Sequence, residues 1–165
     1  MGAIGRIVSG GQSGVDRAAL DTAVELGIPY GGWCPRGGWA EDLPQPPGLL
    51  ARYPQLRPTP CGEPAQRTRW NVHDSDATLI LLPGGPPAAG SGTSLTIATA
   101  EELGRPLAVV DLDAPDARRQ AMALLAALPP GGALNVAGPR ESGAPGVYRR
   151  ARALLAETLA SVGAT

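Results

Sequence analysis

The chain has 165 residues, 43% of them hydrophobic, a mean hydropathy of -0.04 and a formal net charge of -1. That length suits one domain with one core, the composition excludes a disordered chain, and the charge gives no general field for nucleic acid. With no apolar run of about 18 residues and no basic-then-apolar leader, neither a membrane span nor export is expected, and the expected compartment is the cytoplasm.

Residues 3–9 predict a short buried strand ending at Gly10-Gly11. Val15, Ala18, Ala19, Ala23 and Leu26 recur at helical spacing and predict a helix over 15–26, closed by Gly27. Residues 28–33 read as a second strand. Residues 35–62 are rich in Pro and Gly and show no period, so they predict an extended loop. It is too long for a plain connector and is expected to be a lid, a rim or a subunit contact.

A helix follows over 63–74 with Pro64 in its first turn, then the clearest buried strand at 77–82. A second glycine-rich loop leads into a helix over 93–103 that stops at Gly104. Residues 107–111 predict a strand, 115–128 an amphipathic helix, and 133–137 the last strand. After a loop at 138–146, residues 147–162 predict a helix with Val147, Ala151, Leu154, Leu155, Leu159 and Val162 inward. Apolar strands alternating with amphipathic helices imply an α/β, doubly wound, mainly parallel sheet of about five strands. Helices cover both faces in a Rossmann-like single domain over 1–165.

In such a fold, ligands bind beyond the carboxyl ends of the strands. All 14 basic residues are Arg, so a P-loop lysine and a Schiff-base lysine are excluded. Any anion must be held by Arg or by backbone N–H groups. Cys34, Cys61 and the single His73 cannot build a four-ligand zinc site, and a Cys34–Cys61 disulfide runs against a cytosolic setting.

Three loops have the composition of a ligand cradle. The first runs from Ser9 through Gly10, Gly11, Gln12, Ser13 and Gly14 to Asp16 and Arg17. Glycines allow close backbone approach, and the following helix presents unpaired N–H groups to an anion. The dinucleotide fingerprint fits only if Ser9 replaces its first glycine, and Cys34 stands near where a ribose-binding acid belongs. NAD is therefore not expected. The bland alternative is a tight turn with Asp16 complementing the helix dipole.

The second loop, Pro83 to Thr96, places Gly92, Thr93 and Ser94 at the start of a helix, with Ser91 or Thr93 as its N-cap. Two cradles beside adjacent strands would hold two ends of one ligand. The third loop runs from Asn135 to Ser142 and offers Arg140 for a bidentate contact, unless Arg140 and Glu141 merely pair at the surface.

Weaker candidates are Arg36 for an anion and Trp33 for stacking on a ring. Arg67, Trp70, Asn71 and Asp74 share one helical face that either lines the crevice or docks the helix. His73 beside Asp74 is expected to be solvated or capping rather than a working pair, because adjacent helical residues point apart.

Residues 9–44, 65–85, 90–96 and 134–148, taken in order, resemble the putative molybdenum carrier family, within the SLOG superfamily of Rossmann-like nucleotide-ligand binders. The resemblance implies a homo-oligomer, dimer or tetramer. It would store or hand over the molybdenum cofactor, gripping its phosphate and pterin ring. By position, it implies a phosphate loop at Gly10, Gly11, Gln12, Ser13 and Gly14, a second cradle at Gly92, Thr93 and Ser94, and a third side closed by Arg140 and Ser142.

The same superfamily contains the lonely-guy nucleoside-monophosphate phosphoribohydrolases, marked by P-G-G-x-G-T-x-x-E. This chain keeps Pro83-Gly84-Gly85 but has Thr96 where their catalytic Glu stands. Thr96 cannot stabilise oxocarbenium character or activate water as a carboxylate does, which speaks against that enzyme class. Asp16 is the first substitute acid for an alternative reading as such a hydrolase. The same residues also fit a nucleotide-binding sensor, or a scaffold whose glycine loops are only turns.

Overall fold

The computed structural model describes residues 4–162. Residue 3 of the first expected strand, and the ends of the expected 1–165 span, lie outside the described residues.

Five parallel strands form the sheet, in the order β2-β1-β7-β5-β6: β1 (Arg6–Val8), β2 (Tyr30–Gly31), β5 (Ala77–Leu82), β6 (Leu107–Asp111) and β7 (Ala133–Ala137). All six residues of β5 are buried, as befits a strand covered on both faces. Side chains alternate across the sheet. Ile7, Leu79, Leu81, Leu134 and Val136 join one core with α1 (Val15–Leu26), α5 (Ala117–Ala126) and α6 (Val147–Val162). The opposite face, with Thr78, Ile80 and Asn135, is covered by α3 (Pro64–His73) and α4 (Gly92–Leu103), which pack on each other. The fold is therefore the doubly wound, Rossmann-like α/β architecture.

Two expectations change. The single strand expected over 28–33 is divided at Gly32, whose φ is +127° and whose missing Cβ would lie 2.4 Å from the Ser9 carbonyl oxygen. Beyond it, β3 (Trp33–Cys34) leaves the main sheet and pairs in parallel with β4 (Arg57–Pro58).

Residues 35–62 are not a featureless loop. They carry a 3-10 turn (Arg36–Gly38), the short helix α2 (Leu49–Arg52) and β4. Leu49, Tyr53 and Leu56 close with Leu20, Cys34 and Ala40 into a second small core on the outer side of α1. Prolines between these apolar residues erase the period that would reveal them. Both cysteines are free, Cys34 inside this small core. No described helix is long and apolar enough to cross a membrane.

Candidate functional site

The carboxyl ends of β1, β7 and β5 are neighbours at the middle of the sheet. The first and second cradles therefore do not follow adjacent strands, because β7 and the third loop stand between them. The N-termini of α1, α3 and α4 open at the same edge, around a cleft of about 1090 Å³. Its walls include Gly10, Gln12 and Asp16 from the first loop and α1, and Arg67, Thr68 and Asn71 from α3. Gly92, Thr93, Ser94 and Thr96 of α4, Asn135 of β7, and Gly138 and Arg140 beyond β7 complete it.

The first loop is built differently from an open cradle. The Gly11 N–H donates to Ser9 Oγ at 3.1 Å, the Gln12 N–H to Asp16 Oδ2 at 3.4 Å, and the Ser13 N–H to Gln12 Oε1 at 3.0 Å. The Val15 N–H donates to the Pro139 carbonyl at 3.2 Å. Gly10 and Gln12 reach the cleft wall. Gly11 packs on Leu49, Gly14 lies against the backbone of residues 139–141, and Ser13 is turned toward Glu41. These three do not line the cleft.

Glu41, delivered by the proline-rich segment, fills the nest between the first and third loops. Its carboxylate accepts from the Ser13 hydroxyl, from the Ser142 N–H at 3.2 Å and from the Ser142 hydroxyl at 2.5 Å, with Arg140 Nε 3.7 Å away. Desolvation pushes this carboxyl up, but the hydrogen bonds from Ser13 and Ser142 and the charge of Arg140 outweigh it and hold the group below its usual range. Ser142 thus serves Glu41 and does not line the cleft. Glu141 does not pair with Arg140; it accepts from the N–H groups of Gly146 at 2.6 Å and Tyr148 at 3.0 Å and caps α6.

A depressed carboxyl stabilises the fold above its unfolded pKa and loses that contribution as pH falls through the folded value. Glu41→Gln is therefore expected to lower stability by about 1–2 kcal/mol at pH 7. Urea titrations should show the two proteins converging as pH falls below the ordinary carboxylate range.

The second cradle is open. Ser91 is the N-cap, its hydroxyl accepting from the Ser94 N–H at 3.2 Å. Among the described residues no acceptor meets the N–H groups of Gly92 and Thr93. The Thr96 hydroxyl donates back to the Gly92 carbonyl at 2.9 Å.

Across the cleft, the buried Arg67 donates one N–H to the Gly10 carbonyl at 2.8 Å and stands 3.8 Å from Asp16 Oδ2. Asp16 is only 7% exposed. Burial raises its pKa to about 6, against the opposing pull of Arg67, the Gln12 N–H and Arg17.

The remaining candidates lie elsewhere. Arg36 is exposed on the 3-10 turn and is not part of the cleft wall. The expected α3 face is divided: Arg67 and Asn71 line the cleft, whereas Trp70 and Asp74 face a second groove with Trp33. Trp33 meets Trp70 edge-on at 4.7 Å, carries Arg57 over its ring and donates its indole N–H to Asp74 at 2.8 Å.

His73 Nδ1 lies 2.9 Å from Asp74 Oδ1, so these neighbours do interact. Asp74 is the C-cap and has left helical geometry, so the helical argument for divergence does not apply. Residue order alone does not single out Trp39, which also lines the cleft, nor Glu41 or Thr68. Thr68 follows Arg67 on α3 and precedes Asn71 by three, a visible polar patch; Trp39 and Glu41 carry no periodic signal.

Three comparisons bear on this geometry. Residues 7–159 match the family described as the circularly permutated YpsA SLOG family. No curated protein matches the chain. A solved structure, the putative molybdenum carrier protein from Syntrophus aciditrophicus SB at 1.45 Å resolution, shares 37% identity over 96% of each chain, with a TM-score of 0.78.

Proposed function

Because the chain belongs to the circularly permutated YpsA SLOG family, we propose that its cleft carries a small phosphate-bearing ligand, the molybdenum cofactor before others, as a carrier or store. The observation that carries this reading is the α4 N-terminus. The N–H groups of Gly92 and Thr93 have no acceptor among the described residues and line the same cleft as the buried Arg67 guanidinium. Unpaired helix-terminal amides and a positive dipole end favour a phosphate there, and an Arg can clamp its oxygens.

The cleft is ample for a fused-ring phosphate ester. It supplies no thiolate: Cys34 is sealed in the small core and Cys61 is not part of the wall. The metal would keep the ligands of its own cofactor, and the protein would grip phosphate and ring. The homo-oligomer that the resemblance implies belongs to the same proposal and is read by light scattering.

Gly92 has nothing within 4 Å of a built Cβ. Gly92→Ala is therefore expected to leave the fold as stable or about 0.5 kcal/mol more so. The added methyl would stand where the phosphate approaches and weaken binding at least tenfold. Calorimetry with the molybdenum cofactor and with a phosphorylated pterin tests both halves, and no heat from either at millimolar ligand ends the reading.

One observation favours a second reading. Asp16 is a carboxyl poised near neutrality at the cleft wall, as a phosphoribohydrolase acid would be. Free base released from AMP, and lost in Asp16→Asn, supports it; intact AMP after long incubation dismisses it.

A further inference from the structure

Gln12 and Asp16 are neighbouring polar groups of the cleft wall that the phosphate reading leaves unused. Gln12 is 8% exposed and Asp16 7%, and both line the cleft. The Gln12 side-chain oxygen accepts from two backbone N–H groups, Ser13 at 3.0 Å and Glu41 at 2.9 Å. That double contact fixes which end of the amide is which. The Nε2 donor is left with no partner among the described residues.

Asp16 Oδ2 takes the Gln12 backbone N–H at 3.4 Å, which places the two residues side by side. Asp16 Oδ1 receives no hydrogen bond among the described residues, yet no buried side-chain oxygen or nitrogen there is both sealed and unpartnered. The free oxygen therefore keeps access to the cleft. A buried amide donor and a buried carboxylate acceptor, both held by the same turn, present a fixed donor–acceptor edge.

We propose that Gln12 and Asp16 read the ring of the ligand, selecting a 2-amino-4-oxopyrimidine edge such as pterins and guanine carry. The Gln12 amide would donate to the ring carbonyl, while the Asp16 carboxylate would accept from the adjacent ring N–H and the exocyclic amino group. An adenine edge offers a bare ring nitrogen to the carboxylate, two acceptors facing each other. Hypoxanthine keeps the carbonyl and N–H but lacks the amino group. Sites built on buried hydrogen bonds reject an analogue that leaves a partner unmet.

This inference rests on the cleft being the phosphate-ligand site, and a panel of GMP, IMP, AMP and a pterin monophosphate separates the two claims. Calorimetry at pH 7.5 should show GMP and the pterin monophosphate binding at least tenfold tighter than AMP, with IMP between. Asp16→Asn should bring GMP within about threefold of IMP and should not weaken AMP. Gln12→Ala should weaken GMP and IMP together, and by more than it weakens AMP. Equal affinity for GMP, IMP and AMP, or a GMP preference that survives Asp16→Asn, overturns the ring assignment and leaves the phosphate site standing. If none of the four binds, the phosphate site itself falls and the ring assignment with it.

Discussion

Gly14→Ala is expected to destabilise the fold by about 3–5 kcal/mol, the scale of a backbone collision added to left-handed strain. Gly14 has φ +81°, and a Cβ built on it would lie 2.3 Å from the Pro139 carbonyl oxygen and 2.8 Å from the Glu141 nitrogen. Both are backbone atoms, so no side-chain rotation relieves the contact. The Val15 N–H bond to Pro139 is part of the same seam, and it would have to open. A domain of this size has about 5–15 kcal/mol in hand, so the loss takes a large share. Urea unfolding should show a lower midpoint at an unchanged slope. Gly92→Ala, a glycine-to-alanine change with open space around it, is the control; a Gly14→Ala midpoint equal to that control would mean the two loops are not packed as described.

The second expectation runs the other way. Asp16→Asn should raise stability by about 1–3 kcal/mol at pH 8 and by nothing measurable near pH 4. The folded carboxyl titrates at about 6 against an ordinary 3.8, chiefly because it is buried. A raised acid favours folding while it stays protonated, below its unfolded value, and that advantage disappears as pH climbs through 6. At pH 8 the native chain must hold a buried charge. The rise from 3.8 to about 6 is worth about 3 kcal/mol, already net of the Gln12 N–H bond and the Arg67 and Arg17 attractions that oppose it. Thermal melts of both proteins across pH 4–8 check the sign as well as the size. A residue that costs stability at working pH, in a cleft, marks a place where binding outranks folding. Equal melting curves at pH 8 would remove Asp16 from that class.

Much of this architecture is legible in residue order. Long periodic segments such as 15–26, 77–82 and 147–162 carry their own helix or strand signal, and the structure places α1, β5 and α6 on those residues. The small core is illegible because Leu49, Tyr53 and Leu56 lie in or beside elements of two to four residues, with prolines before and after them and Pro54 between the last two.

At the site, sequence marks glycine-rich turns but not whether their amides are free. The turn at 10–14 bonds to its own Ser9, Gln12 and Asp16 side chains, whereas at the helix start Ser91 meets only the Ser94 N–H and leaves those of Gly92 and Thr93 without an acceptor among the described residues. Glu41 could not be foreseen as a partner of Ser13 and Ser142, because that contact joins residues 28 and 101 positions apart and depends on the path of an aperiodic segment. Arg67 could be placed on the right helix face, but that it meets Gly10 across 57 positions is a tertiary fact.

The position of β7 also sets a timetable. It is the last strand in the chain yet sits between β1 and β5. While the polypeptide is still being synthesised, β1–β2 and β5–β6 are two separate pairs, each with a naked inner edge able to recruit a stranger. Only when residues 133–142 leave the ribosome can the two halves be stitched together and the middle wall of the cleft exist. A nascent chain lacks this wall of the cleft, and a message that stops short of this strand leaves one polypeptide with two unpaired strand edges rather than a weakened fold.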